Sequence, residues 1–272
     1  MIADTGSPIL LDATWAQGAN LLSQEAGWNQ VAADWSIFFT RGTVFGFIAG
    51  DRLVATAAAL PFGDDLGWIS MVLVTPEWRR RGLASRLVAA CISALRDSGR
   101  AALLDAAPAA TNIYASLGFV PLCSMTRWEG EGRGDGNSPT SPNGALKEFA
   151  AQDRIAFGAD RRFLLEDFLS RPGSFLFQRA RSFAMLRQGH ITSQLGPILG
   201  EPTQAAAMVA DAIHAASGRM VIDVLDAGNE IIPKLEEMGF RSQRSFTRMA
   251  LDLKVLPGTP TQVLAAAGPE FG

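Results

Sequence analysis

The chain contains few of the residues on which several classes of site depend. Among its 272 residues there are two cysteines, two histidines and one tyrosine. Two cysteines without CxxC spacing cannot form a disulfide framework. The histidines, His190 and His214, are isolated and lack the spacing of metal ligands, so we expect no metal. Since no run of about 18 apolar residues occurs, we also expect no membrane-spanning helix.

Basic charge is also scarce. The net charge is −3, and only 19% of the residues are charged. Without a basic surplus, we expect neither nucleic acid nor an anionic membrane as a partner. The first ten residues have neither the basic start nor the apolar core of a signal peptide, which favours a cytoplasmic protein.

The length and the 48% hydrophobic content suit two globular domains. The clearest interruption is a stretch of Gly, Ser, Pro and charged residues from Glu129 to Gly144 without a hydrophobic period. We therefore predict a first domain over residues 1–129, a linker over 130–144 and a second domain over 145–272.

Hydrophobic periodicity predicts a mixed α/β order in both halves. In the first half we predict helices within 13–39, strands over 43–49, 52–60 and 68–74, a helix over 83–96, a strand over 101–106, a helix over 109–117 and a strand over 120–128. In the second half we predict helices within 146–169, strands over 174–178 and 182–187, a strand reaching Pro197, a helix over 203–216, a strand over 220–225, a helix over 230–238 and a strand over 244–251.

The second half repeats the first at a fixed offset of 121 residues. This offset pairs Gly118-Phe119 with Gly239-Phe240 and Thr126-Arg127 with Thr247-Arg248, and it also pairs Pro76 with Pro197. Because no gap is needed and the predicted elements follow in the same order, we infer a tandem duplication of one α/β unit.

The motif from Val72 to Ala84 predicts a site for a bulky anion. An apolar strand enters a short Arg/Gly loop that opens a helix, where unpaired backbone N–H groups and the positive helix end converge. Gly82 lets a ligand approach the backbone closely, and Arg79, Arg80 and Arg81 add positive charge. A pyrophosphate is the anion that we expect.

Two motifs resemble the GCN5-related N-acetyltransferase (GNAT) family. The loop Arg79–Ala84 is similar to its R/Q-x-x-G-x-G/A signature, and Asn112–Phe119 is similar to its N-x-x-Y-x-x-x-G-F helix. The whole chain resembles a bacterial subgroup with a degenerate second copy. The resemblance implies an α/β (α+β) fold of two tandem GNAT-like domains, each a mixed, mostly antiparallel sheet flanked by helices, with acetyl-CoA as co-substrate.

The resemblance also implies roles for individual residues. Tyr114, the single tyrosine, would be the general acid that protonates the departing thiolate. Main-chain N–H groups near Leu73 or Val74 would face the acetyl carbonyl, and pantetheine would lie between the strands over 70–74 and 101–106. Acetyl-CoA would be bound by Leu73, Val74, Arg79, Arg80, Arg81, Gly82, Leu83, Ala84, Ser85, Asn112 and Tyr114.

The second half lacks these features. The offset pairs Arg81 with Pro202, Gly82 with Thr203 and Tyr114 with Leu235. Since Pro202 removes a loop donor and leucine cannot supply a proton, we expect one catalytic domain and one degenerate partner that walls the acceptor cleft.

The acceptor site is less well defined. Trp28 and Trp35 could wall a pocket, and Asn29 and Asp34 could orient the amine or accept its proton; core packing and a helix cap are the alternatives. Asp160 and Arg161 could face the same cleft or form an interdomain salt bridge. The general base stays open between Asp34, Asp64, Asp65, Glu77 and a water chain.

We expect an acetyl-CoA-dependent N-acetyltransferase in which the amine of a small molecule attacks the thioester directly in a ternary complex. The alternatives are a protein or peptide N-acetyltransferase and a regulatory protein that binds acetyl-CoA without turnover. The presence of Tyr114 favours catalysis. We expect a monomer or a homodimer.

Overall fold

The computed structural model describes residues 6–135 and 144–272. Strands in these ranges are β1 (Ile9–Leu11), β2 (Thr43–Ala49), β3 (Arg52–Phe62), β4 (Leu66–Val74), β5 (Ala101–Ala106), β6 (Val120–Arg133), β7 (Phe175–Arg179), β8 (Ser182–Gln188), β9 (Ser193–Leu199), β10 (Ser217–Leu225), β11 (Arg241–Leu251) and β12 (Val263–Ala265). The α-helices there are α1 (Ala16–Glu25), α2 (Ala32–Arg41), α3 (Leu83–Asp97), α4 (Thr111–Ser116), α5 (Ala145–Phe157), α6 (Arg162–Ser170), α7 (Pro202–Ala215) and α8 (Ile232–Glu237).

A single sheet joins the two halves, with strand order β1-β2-β3-β4-β5-β11-β6-β10-β12-β9-β8-β7. The pairs β4–β5 and β9–β10 are parallel, and the other pairs along the described sheet are antiparallel. The predicted fold class, a mixed and mostly antiparallel sheet with flanking helices, is confirmed.

The halves exchange their long terminal strands. Strand β11 of the second half lies between β5 and β6 of the first, and β6 in turn pairs with β10 of the second half. Two buried, bidentate ion pairs cross these junctions: Asp105 of β5 with Arg248 of β11, and Asp223 of β10 with Arg127 of β6. Each half therefore completes the sheet of the other.

The beginning of the predicted linker is part of this exchange, which corrects the predicted boundary. Residues 130–133 belong to β6 and pair with β10. Gly130 and Gly132 are required there because an added Cβ would lie 2.5 Å from the Phe240 ring and 2.5 Å from the Ala216 carbonyl oxygen. Residues 136–143 of the predicted linker lie outside the described ranges.

The duplication is real, and the offset of 121 holds from α4 to β6 and also in α3, where Leu87, Val88 and Cys91 correspond to the equally buried Met208, Val209 and Ala212 of α7. It fails at β5. Asp105 pairs with Arg248 and Asp223 pairs with Arg127, so the counterpart of Asp105 in the second half is Asp223 and not the Asp226 that the offset predicts. The shift arises because the 3-10 turn Asp226–Ile231 is longer than its counterpart Pro108–Ala110. Pro197, predicted to end a strand, lies inside β9. The link from β9 to α7 is Gly200-Glu201 alone, so the long loop that precedes α3 has no counterpart there.

The two halves also share a hydrophobic core. Trp35 and Phe38 of α2 share one hydrophobic cluster with Phe168 of α6 and Phe271, and the Phe38 and Phe271 rings stack at 5.2 Å. On the other face of the first half, α3 buries an apolar stripe of Leu83, Leu87, Val88, Cys91 and Leu95. Among the described residues no helix is long and apolar enough to cross a membrane.

Candidate active site

Strands β4 and β5 diverge in the middle of the first half. They pair only between Leu66–Trp68 and Ala101–Leu103. Beyond this point β4 has a bulge, since Ser70 pairs with Ala58 and Leu73 pairs with Thr56. Met71 in the bulge has a φ of 54°, which is rare for a residue with a side chain, and its carbonyl accepts a hydrogen bond from Thr56 Oγ1 at 2.9 Å. The bulge turns β4 away from β5 and leaves a gap between them.

A cavity of about 580 Å³ opens at this gap. Its walls come from both halves: Trp28, Ile69–Val72 and Tyr114 from the first, and Thr192, Gln194 and Glu270 from the second. Leu73 and Val74 continue β4 beyond the bulge, where they pair with Thr56 and Ala55 of β3.

The Arg/Gly loop lies between β4 and α3, as the sequence predicts. Gly82 has a left-handed φ of 72°, and a Cβ added to it would meet no atom within 4 Å, so space is open in front of the backbone. The first N–H groups of α3, at Leu83, Ala84 and Ser85, have no acceptor within the helix. Together they form the amide cradle that an anion needs.

The three arginines have different positions around this cradle. Arg79 Nε donates to the Val74 carbonyl at 3.1 Å, which fixes the loop to the end of β4. Arg81 Nη2 donates to the Glu77 carbonyl, and the guanidinium lies 4.5 Å from the Trp78 ring centre. Arg80 has a left-handed φ of 62°. Arg79 and Arg81 thus shape the loop in addition to charging it.

Tyr114 lies on α4 at the wall of the cavity and is buried, with 9% of its surface exposed. Burial, and to a smaller extent the charge of Cys91, raises the pKa of Tyr114 to about 12. The phenol therefore stays protonated near neutral pH and is able to donate its proton. Asn112, on the same helix, is exposed and does not line the cavity.

Two of the predicted acceptor residues line the cavity. Trp28 forms part of the wall. Asn29 also lines it, but its side chain is used to bind the second half: the amide nitrogen donates to the Thr192 carbonyl, and the amide oxygen accepts from the N–H groups of Ile191 and Thr192. Asn29 therefore joins the two walls of the cavity.

The other predicted acceptor residues lie elsewhere. Trp35 is fully buried in the core, where its indole N–H donates to Ser23 Oγ at 2.7 Å. Asp34 is not available as a base, because it accepts hydrogen bonds from the Val31 N–H and from Arg171 at 2.7 Å. It caps α2 and bridges the halves.

Asp160 and Arg161 also lie away from the cavity. Asp160 is exposed and accepts a hydrogen bond from the Arg162 N–H. Arg161 is buried, with a bidentate ion pair to Asp153 and hydrogen bonds to the carbonyls of Phe271 and Gly272. Its role is to hold the final residues of the chain in the core.

Known proteins are similar to this chain in sequence and in fold. Residues 11–119 match the family model described as "Acetyltransferase (GNAT) family", and residues 150–265 match "Acetyltransferase (GNAT) domain". The chain belongs to the GNAT family. It is also 26% identical over 234 residues to the uncharacterized N-acetyltransferase YitH of Bacillus subtilis (strain 168), covering 80% of this chain and 82% of that one. The chain is an N-acetyltransferase.

Solved GNAT structures have the same fold. A Pyrococcus horikoshii protein described as an acetyltransferase superposes with a TM-score of 0.79 at 17% identity, covering 98% of this chain and 96% of that one. A tandem GNAT protein from the clavulanic acid biosynthesis pathway superposes with a TM-score of 0.63 at 13% identity, covering 90% and 97%. The tandem arrangement is therefore shared with that protein.

The second GNAT unit has lost each of the three features that form the cleft of the first. In place of the Arg/Gly loop, the carboxylate of Glu201 accepts hydrogen bonds from the N–H groups of Thr203 and Gln204 at 3.0 Å. Strand β12 lies between β9 and β10, in the gap that stays open between β4 and β5. Leu235, fully buried, takes the place of Tyr114.

Gln30, Ser70 and Glu270 are among the polar residues of the cavity that were not predicted from the sequence. Gln30 and Ser70 are 7% and 8% exposed, and Gln30 Oε1 and Ser70 Oγ have no hydrogen-bond partner among the described residues. Glu270, also 8% exposed, reaches the cavity from the far end of the chain. Proximity to Asn29 was a usable signal for Gln30, whereas no local pattern distinguishes Glu270.

Proposed function

We propose that this enzyme transfers the acetyl group of acetyl-CoA to the amine of a small molecule bound between its two halves. The gap between β4 and β5, which opens into the cavity with Tyr114 on its wall, is the observation that carries the proposal. A gap beside an unpaired strand can accept an extended ligand as an added strand.

The residues of the first half fit acetyl-CoA. The open space at Gly82 and the free N–H groups of Leu83, Ala84 and Ser85 suit the pyrophosphate, with Arg79, Arg80 and Arg81 supplying charge. The unpaired part of β4 suits pantetheine. When bound, acetyl-CoA supplies an acetyl group that is activated as a thioester.

The chain's own groups can then promote attack by the amine. A main-chain N–H of β4 beside the bulge, at Leu73 or Val74, would stabilise negative charge on the carbonyl oxygen. Tyr114 would protonate the leaving sulfur, because burial keeps its phenol in the protonated form.

The second half supports a compact acceptor. Asn29 ties the wall beside Trp28 to Ile191 and Thr192, so the cavity is bounded on both sides. A protein or peptide acceptor would need a longer open groove. A regulatory protein without turnover would have no need of a proton donor at Tyr114.

Titration calorimetry with CoA tests the site. We expect one CoA per chain, and Gly82→Glu should weaken binding at least about tenfold because the side chain fills the cradle with negative charge. Gly99→Glu is the matched control: Gly99 also has a left-handed φ, of 75°, and open space around it, but it lies beyond the opposite end of α3.

Two CoA molecules per chain, or equal affinity in both variants, would contradict the proposed site. The acceptor class is tested separately, by measuring free thiol release from acetyl-CoA with a panel of small amines and with unstructured peptides. Turnover only with peptides would exclude the small-molecule acceptor.

A further inference from the structure

The last residues of the chain run from the second half to the cavity of the first. After β12 has filled the gap between β9 and β10, the Pro269 carbonyl accepts a hydrogen bond from Trp68 Nε1 of β4 at 2.9 Å. Phe271 is fully buried against Phe38 of α2. Glu270 is thus held between two anchored residues, at a fixed place on the cavity wall.

Three carboxylates line the cavity, and two of them are fully bonded. Both oxygens of Asp105 accept hydrogen bonds from Arg248 at 2.9 Å. Glu129 accepts from Arg219 through Oε1 and from Gln243 through Oε2 at 2.7 Å. Neither is free to receive a proton without loss of an existing bond.

Glu270 differs from them. Its Oε1 accepts a hydrogen bond from Arg187 Nη2 at 3.0 Å, whereas no second side chain among the described residues donates to Oε2. It is also the buried carboxylate that the second half contributes to the cavity wall. None of the bases considered from the sequence, Asp34, Asp64, Asp65 or Glu77, lines this cavity.

We infer that Glu270 is the general base of the reaction, and that the acceptor is an aliphatic amine that arrives protonated. The inference rests on the proposed function. An aliphatic amine has a pKa near ~10, so at neutral pH it must lose a proton before it can attack. An arylamine is already neutral and needs no such group.

The charges around Glu270 are compatible with this role. Burial raises the pKa of Glu270, the ion pair with Arg187 opposes the rise, Asp34 of α2 adds to it, and a hydrogen bond from the residue's own backbone N–H lowers it. Arg127 of β6 lowers it, and Arg244 of β11 interacts with Glu270 as well. The net rise makes the carboxylate a stronger base than an exposed glutamate.

The proton balance closes with Glu270 and Tyr114 alone. Glu270 takes one proton from the ammonium, which frees the nitrogen lone pair to form the N–C bond as the C–S bond breaks. Tyr114 gives its proton to the sulfur and regains one from the nitrogen. Glu270 then releases its proton to solvent, so one proton is produced in each turnover.

Glu270→Gln tests the inference, since it removes the base but keeps the shape and an oxygen for Arg187. With the best aliphatic amine of the panel, we expect kcat/KM to fall about 10²–10⁴-fold at pH 7. The loss should shrink as pH rises towards the amine pKa, and it should be small with aniline as acceptor. Calorimetry should show unchanged CoA affinity.

Glu166→Gln is the control, because Glu166 is likewise paired with an arginine, Arg162 on α6, but does not line the cavity. Its kcat/KM should stay within about threefold of wild type, too small a change for loss of a general base. If Glu270→Gln is unstable, Glu270→Ala with added formate replaces it, and formate should restore part of the rate.

The outcomes separate the two proposals. A wild-type enzyme that turns over no amine overturns the proposed function and this inference together. An active wild type with equal rates and pH profiles in Glu270→Gln overturns the inference alone, as does an equal loss in Glu166→Gln or a lack of formate rescue in Glu270→Ala.

Discussion

The two halves have the same fold but differ at the gap in the middle of their sheets. In the first, β4 and β5 diverge around an open gap; in the second, β12 fills the gap between β9 and β10. At the helix that follows, the first half presents free N–H groups beside Gly82, whereas Glu201 already occupies those of α7. The gap, the loop and the proton donor have been replaced together.

The second half has no open gap of its own, but it contributes to the first half in three ways. It supplies β11 to the shared sheet, a wall of the cavity at Thr192 and Gln194, and the segment that carries Glu270. A GNAT unit without an open gap can therefore still form part of a cavity in its neighbour.

The largest expected effect is on kcat, and it comes from removing the Tyr114 hydroxyl, so that the first half lacks a proton donor as the second half does. Tyr114→Phe should lower kcat about 10²–10⁴-fold, because a phenyl ring cannot protonate the sulfur. CoA affinity by calorimetry should stay unchanged. Leu235→Met, the equivalent position in the second half, should leave kcat as it is, since the swap conserves volume. An unchanged kcat in Tyr114→Phe would remove this residue from the mechanism.

The next effect concerns the exchanged strands, which the halves share. Asp223→Asn breaks the buried pair with Arg127 and should lower the free energy of unfolding by about 3–5 kcal/mol, because Arg127 keeps a buried charge without its partner. Urea unfolding measures it. Asp211→Asn, in an exposed pair with Arg179, should cost less than about 1 kcal/mol. Equal small losses would mean that the exchange does not depend on these pairs.

The smallest expected effect is on the Tm, and it comes from Glu201, which caps α7 where the first half has its Arg/Gly loop. Hydrogen bonds from the backbone N–H groups of Thr203 and Gln204 lower the pKa of Glu201. A lowered folded-state pKa gives stability that is fully present above the ordinary glutamate pKa and is lost as pH falls through the folded value. The Tm of Glu201→Gln should therefore be slightly below that of wild type at pH 7, and the difference should shrink as pH falls below the ordinary glutamate pKa. A Tm difference that does not change with pH would mean that the negative charge of Glu201 does not contribute to stability.

Local features of the fold could be predicted from the sequence. The stripe that α3 buries, the Arg/Gly loop and the helix with Tyr114 each depend on residues within a short window. The duplication was also visible, although its offset fails between β5 and β10, where three extra residues in the second half's 3-10 turn change the register. The true correspondence of β5 with β10 is set by hydrogen-bond pairing between strands, which a comparison of the two halves of the sequence cannot detect.

Contacts between distant segments could not be predicted. Gly130 and Gly132 suggested a linker, yet each is glycine because a residue of the second half lies against it. Asp34 and Trp35 fitted either a pocket or a core, and their partners Arg171 and Ser23 decide for the core. Glu270 has no local signature, since its place depends on β12 and on Trp68.

The strand exchange has a consequence for the chain as it leaves the ribosome. The first half, with β1 to β6, is synthesised before β11, yet β11 must enter between β5 and β6. At about 5–20 residues per second, the edge of β5 waits roughly 7–30 seconds for its partner. An unpaired strand edge invites pairing with other chains, so we expect newly made first halves to depend on chaperones until Arg241–Leu251 emerges.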